Sequence, residues 1–104
     1  MKNHIIKVRD RFVTTTDVYI VLGNVSTDTI ELDLDEEWNG FSVEVVLVKG
    51  KHTYRSKWNR SRMTLPPTLA SSPGFVGMRI EGSRGEEKIT TALNPRALRI
   101  VGRR

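Results

Sequence analysis

The chain has 104 residues, with 17 Lys and Arg against 12 Asp and Glu, two His, no Cys and a formal net charge of +5. That length suits one domain with a single core, and 38% hydrophobic with 28% charged residues excludes a disordered chain. No apolar run approaches the ~20 residues of a membrane helix, the charged start MKNHIIKVRDRF lacks the apolar stretch of a signal peptide, and without Cys there is neither a disulfide framework nor thiol chemistry.

The side-chain period along the chain is two. His4-Ile5-Ile6-Lys7-Val8 reads as an edge strand or as an arm, within residues 1–15, that pairs with another subunit. Val18 to Leu22 is a β-rich run ended by the turn signal Gly23-Asn24. In Ile30-Glu31-Leu32-Asp33-Leu34-Asp35 apolar and acidic residues alternate, which puts Ile30, Leu32 and Leu34 on one face and the carboxylates on the other. Phe41, Val43, Val45 and Leu47 form the next inward set, and Val46 with Val48 makes both faces apolar, which predicts a central strand. Lys49-Gly50-Lys51 is a hairpin turn, since Gly tolerates positive φ. Beyond it His52, Tyr54, Ser56 and Trp58 share one face, read as inward, and Lys51, Thr53, Arg55 and Lys57 the other.

Met63-Thr64-Leu65 runs into Pro66-Pro67, which starts one helical turn through Ala70. Phe75 to Ile80 is a strand, Gly82-Ser83-Arg84-Gly85 a loop, and Glu86 to Thr91 and Leu98 to Val101 are the last strands, separated by the turn signal Asn94-Pro95. Seven or eight short strands at roughly ten-residue spacing predict an all-β fold. The expected architecture is an immunoglobulin-like antiparallel β-sandwich in one domain over residues 1–104, with a small β-barrel as the alternative and residues 102–104 as a basic tail.

Charge is segregated. From Phe12 to Val48 there are eight acidic residues and no Lys or Arg; from Lys49 to Ile80 there are seven basic residues and no acid; Arg96 to Arg104 adds four Arg. Such blocks either face each other as cross-strand pairs, the more ordinary arrangement, or make opposed faces through which copies dock. The acidic block also opposes a nucleic-acid role, which relies on Lys and Arg contacts to phosphate.

The acidic cluster Asp33, Asp35, Glu36 and Glu37 matches no EF-hand spacing, because Trp38 stands where that loop needs Gly. It reads as a solvated turn, with Trp38 plugging the end of the sandwich. His4 and His52 are far apart in sequence and have no Cys partner, so neither a metal site nor a catalytic triad is expected, and His52 reads as half-buried. Lys51, Arg55, Lys57, Arg60 and Arg62 form the strongest basic patch, beside Tyr54 and Trp58, whose rings read as core. No base, nucleophile or metal set can be assembled, so the expectation is a protein without enzymatic activity and without a cofactor.

An ordered series of cues spans about 70% of the chain: the acidic strand from Ile30 into Glu37-Trp38-Asn39-Gly40, the β-run Phe41 to Val48 with its Lys-Gly turn, the aromatic-bearing strand through Tyr54, Leu65-Pro66-Pro67-Thr68-Leu69, Pro73-Gly74, and the strand Val76 to Gly82 leading to Ile89-Thr90-Thr91. In that order they resemble small Ig-like β-sandwich structural proteins of bacteriophages and prophages of Gram-positive bacteria. The resemblance implies a virion component of tail, baseplate or capsid surface, made in the host cytoplasm, whose partners are other virion proteins or copies of itself. The ending from Arg96 departs from the family and favours a small accessory subunit. The interaction surface expected on this reading is Asp33, Asp35, Glu36, Glu37 and Trp38 against Lys51, Arg55, Lys57, Arg60 and Arg62. The alternatives are a small basic β-domain that binds nucleic acid through the same basic patch, and a host-surface carbohydrate-binding module using Trp38.

Overall fold

A computed structural model describes residues 2–14, 19–21, 28–69 and 71–102. They form nine strands and one 3-10 turn: β1 (Asn3–Arg9), β2 (Phe12–Thr14), β3 (Tyr19–Val21), β4 (Thr29–Leu34), the 3-10 turn Glu36–Trp38, β5 (Ser42–Lys49), β6 (His52–Trp58), β7 (Gly74–Arg84), β8 (Glu87–Thr90) and β9 (Asn94–Val101). One sheet has the order β2-β1-β4; the other runs β3-β9-β7-β5-β6, with β8 also paired to β7. The fold is all-β, two sheets packed face to face. The expected turn at Gly23-Asn24, Ala70 of the Pro-initiated turn and the last two arginines of the basic tail lie outside the described residues.

Alternation builds the core. Ile6, Val8, Val13, Ile30 and Leu32 point inward from the first sheet, and Val43, Val45, Leu47, Val76, Met78, Ile80, Leu98 and Ile100 from the second, in one buried cluster. β5 lies between β7 and β6, as its two apolar faces predict, and Val46 on its outer face is fully buried.

Three two-residue turns set the register of the hairpins. Lys49 faces His52 across Gly50-Lys51, and Arg84 faces Glu87 across Gly85-Glu86. In each, Gly takes positive φ at the first central position (59° and 60°), as a type II′ turn requires. Arg9 faces Phe12 across Asp10-Arg11, where both residues have positive φ (51° and 63°), the type I′ pattern without a glycine.

Several expectations are corrected. The sheets are mixed, not purely antiparallel, because β1 runs parallel to β4 and β3 parallel to β9. β1 is neither edge nor free arm; it sits between β2 and β4, since inward Ile6 and Val8 need cover from both neighbours. Gly82 to Arg84 belong to β7, not to a loop, and the reversal falls at Gly85-Glu86. Asn94-Pro95 opens β9 instead of making a separate turn. Between the pairs Val76–Leu98 and Met78–Asn94, three residues of β9 oppose Gly77 alone, and Pro95, which has no N–H to offer a ladder, occupies that bulge. The β9 backbone crowds Gly77 there: a Cβ on it would lie 3.2 Å from Pro95 Cα.

The ends of the sandwich are closed by specific contacts. Trp38, fully buried, lies against Gly82 of the second sheet, as expected of a plug. On one side Asn94 Nδ2 donates to Val13 O at 2.8 Å and Ala92 N to Arg11 O at 3.1 Å, joining the β2 edge to the start of β9. On the other side Met63 exchanges two backbone hydrogen bonds with Ile30 of β4, at 2.7 and 2.8 Å.

A methyl group on Gly82 would stand 3.0 Å from Trp38 Cζ3 and 3.1 Å from Cε3, so the fully buried indole would have to shift. Gly82→Ala is expected to lower unfolding free energy by about 1–3 kcal/mol, read by chemical denaturation with Trp fluorescence. Ser83→Ala next to it, with an exposed side chain, is expected to change it by less than about 0.5 kcal/mol.

Candidate binding surfaces and their charges

The acidic cluster grips the β1–β2 hairpin of its own chain. Asp33, Asp35 and Glu37 lie two apart, and they meet three consecutive residues of that hairpin. Arg9 Nη2 donates to Asp33 Oδ2 at 2.8 Å, Asp10 N–H to Asp35 Oδ2 at 3.0 Å, and Arg11 Nε to Glu37 Oε1 at 2.9 Å. The parallel pairing of β1 with β4 brings these segments level, Lys7 opposite Asp33 and Val8 opposite Leu34. The expected acidic docking face is thus largely a clasp. Glu36 is exposed. Trp38 is buried and offers no ring face to a sugar, which removes the basis for the carbohydrate reading.

The basic patch is divided in the same way. Arg55 Nη1 donates to Glu44 Oε1 at 2.7 Å and to Glu81 Oε1 at 2.8 Å, so the central basic residue of β6 is bound across β5 to β7. Arg60 donates to Phe41 O at 2.9 Å and lies 5.6 Å from the Trp58 ring, closing the end of β5. Arg62 stands 3.6 Å from Glu31. Of the patch, only the side chains of Lys51 and Lys57 make no ion pair or hydrogen bond to the described residues. Oppositely charged strands are therefore neighbours within one molecule, the more ordinary of the two arrangements. Exposed pairs of this kind contribute about 0–1 kcal/mol each.

His52 is exposed, not half-buried, because β6 is an edge strand with little cover on either face. On the same strand Trp58 packs partly against the core while Tyr54 stays 38% exposed. Two structural roles were not legible in sequence. His4 Nε2 lies 3.1 Å from Asp28 Oδ2 in a buried pair that ties β1 to the start of β4; nothing in the chain links residues 24 positions apart before strand pairing is known. Lys49 Nζ donates to Leu69 O at 2.9 Å and to the Ser72 carbonyl, pinning the Pro-initiated turn, and partial burial lowers its pKa. Among the described residues no three His, Asp or Glu side chains converge to hold a metal ion.

The outer face of the larger sheet carries the remaining chemistry. A shallow groove of about 610 Å³ crosses it, lined among others by Glu44, Arg79, Glu81, Ser83, Lys88 and Thr90. Glu81 is its electrostatic centre, accepting from Arg55 and from Arg79 Nε at 3.0 Å. Farther along the same face, Tyr19, Arg99 and Phe75 stand side by side on β3, β9 and β7. The Arg96 and Arg99 guanidiniums lie 5.1 and 5.6 Å from the Phe75 ring centroid. Sequence reading missed this row because Tyr19 and Phe75 are 56 positions apart and meet only through β9.

The hydrogen bond from Arg55, followed by that from Arg79, holds the Glu81 carboxyl below its ordinary value of 4.5. A depressed carboxylate contributes stability that is complete above the unfolded value and lost as pH falls through the lower folded one. Wild type is therefore expected to be more stable than Glu81→Gln near neutral pH, with the difference shrinking as pH drops below 4.5. Urea midpoints at about pH 7 and about pH 2 check this; a gap that is constant across that range would show that Glu81 acts through packing alone.

No family model matches the chain, and no curated protein matches it.

Proposed function

We propose that the chain is a non-enzymatic structural or accessory protein of a bacteriophage or prophage virion, in tail, baseplate or capsid surface, acting through protein–protein assembly. The ordered cues from Ile30 to Thr91 support the virion reading, and the two packed sheets fit an immunoglobulin-like sandwich in which the antiparallel β6-β5-β7 ladder is the regular part and the two parallel pairs are variations.

The observation that carries assembly is a pair of sheet edges on one side of the molecule. β6 has β5 on one side and, among the described residues, no strand on the other; β4 has β1 on one side and, beyond the bridge from Ile30 to Met63, none on the other. Only four residues lie between Trp58, the end of β6, and Met63, which bridges to Ile30 of β4, so both edges lie on the same side. A row of unpaired backbone N–H and C=O groups accepts a strand from a neighbouring molecule. The two edges differ in charge, β4 with Glu31 and Asp33, β6 with Arg55 and Lys57.

The reading predicts that, after induction of the encoding bacterium, the chain sediments with phage particles in a density gradient and crosslinks to a virion protein. Amide exchange at Leu32 and Leu34 or along β6 is expected to slow in the particle. A chain that stays wholly in the soluble fraction while particles form would overturn it.

A further inference from the structure

Among the described residues the net positive charge lies on the outer face of the larger sheet, and two aromatic rings stand exposed on that face. We infer that this face is a binding site for single-stranded nucleic acid, with Tyr19 and Phe75 as stacking surfaces and Arg96, Arg99, Lys57 and Lys88 as phosphate contacts. The inference goes beyond a role in virion assembly and does not depend on it.

Strand register assembles the face. Tyr19, Arg99 and Phe75 form one cross-strand row. Arg79, Val46 and Arg55 form another, and Glu81, Glu44 and Lys57 a third. Lys88 follows beside Ser83. Among the described residues, the cations on this face are Arg55, Lys57, Arg79, Lys88, Arg96 and Arg99 and its carboxylates are Glu44 and Glu81, a local excess of four positive charges. The outer face of the smaller sheet has no such excess, since Lys7 and Arg9 there lie beside Glu31 and Asp33. The two carboxylates bind Arg55 and Arg79, which leaves the other four cations without a carboxylate partner among the described residues.

Tyr19 is 50% exposed and Phe75 45% exposed. Arg96 and Arg99 rest against the Phe75 ring, which orders their side chains while their N–H groups remain available to phosphate oxygens. Every base has a π-face, so exposed rings interleaved with cations on a sheet suit single strands regardless of sequence. A duplex keeps its bases stacked away from such rings. The distance from β3 to β6 is four strand spacings, roughly 19 Å, enough for a few nucleotides. This face shares Arg55 and Lys57 with the basic patch expected from sequence and adds Tyr19, Phe75, Lys88, Arg96 and Arg99 to them.

Fluorescence anisotropy with labelled oligo(dT) of about 12 nucleotides tests the assignment on the full chain. Binding is expected to be salt-dependent, with log K falling against log salt at a slope of about −3 for four phosphate contacts. Phe75→Ala and Tyr19→Ala are each expected to weaken binding about tenfold, as is the pair Arg96→Ala with Arg99→Ala, with unchanged circular dichroism. Arg62→Ala and Lys7→Ala, beside Glu31 and Asp33 of the smaller sheet, are expected to bind as wild type does. An abasic strand of the same length is expected to bind far more weakly than oligo(dT). Absence of binding at low salt overturns the proposal, and so does equal affinity for abasic strand, duplex or heparin, which would reveal attraction to polyanions in general.

Discussion

Two-residue alternation in short strands, with one face of each sheet turned to a common core, is the constraint on which the rest of this molecule depends. Once Ile6, Ile30, Val45, Met78 and Leu98 face inward, strand charges have only two outer faces and the turns to occupy. Ion pairs act within a few ångströms, so strand order decides which charges cancel. Parallel pairing of β1 with β4 places Arg9 beside Asp33, and the β6-β5-β7 ladder places Arg55 between Glu44 and Glu81. Among the described residues the charge thereby separates into near-neutral regions and one basic face.

The acidic cluster shows how local the consequence is. Asp33, Asp35 and Glu37 hold the Arg9-Asp10-Arg11 segment, and with it a type I′ turn formed without glycine. Positive φ at two non-glycine residues costs conformational energy, and the bonds from the two arginines and the Asp10 N–H offset part of it. The same 3-10 turn that carries Glu37 delivers Trp38 onto Gly82, so hairpin, turn and sandwich end are one connected assembly. A surface that looked suited to a partner has most of its bonding capacity spent at home.

Much of the strand content was legible, because alternation at Ile30 to Leu34 and at Val43 to Leu47 leaves no helical reading. The Gly50 turn and the buried Trp38 plug followed from local chemistry. Errors arose where local signals have more than one structural use. Asn94-Pro95 punctuates a chain, but in the bulge opposite Gly77 it opens a strand; Gly82 reads as a loop residue, but it is a strand position made small for an indole. His52 and Tyr54 sit on an alternating strand, yet alternation cannot tell a covered strand from an edge.

Sequence by itself determined the all-β character, most of the inward-facing residues and the segregation of acidic and basic stretches, since each depends on residues close together along the chain. Tertiary structure alone decided which charges neutralise one another, that β1 is central and parallel to β4, and that Tyr19, Phe75, Arg96 and Arg99 share a face. The physical reason is distance. Coulombic and cation–π contacts need separations of a few ångströms, and only strand order brings residues many positions apart to such range.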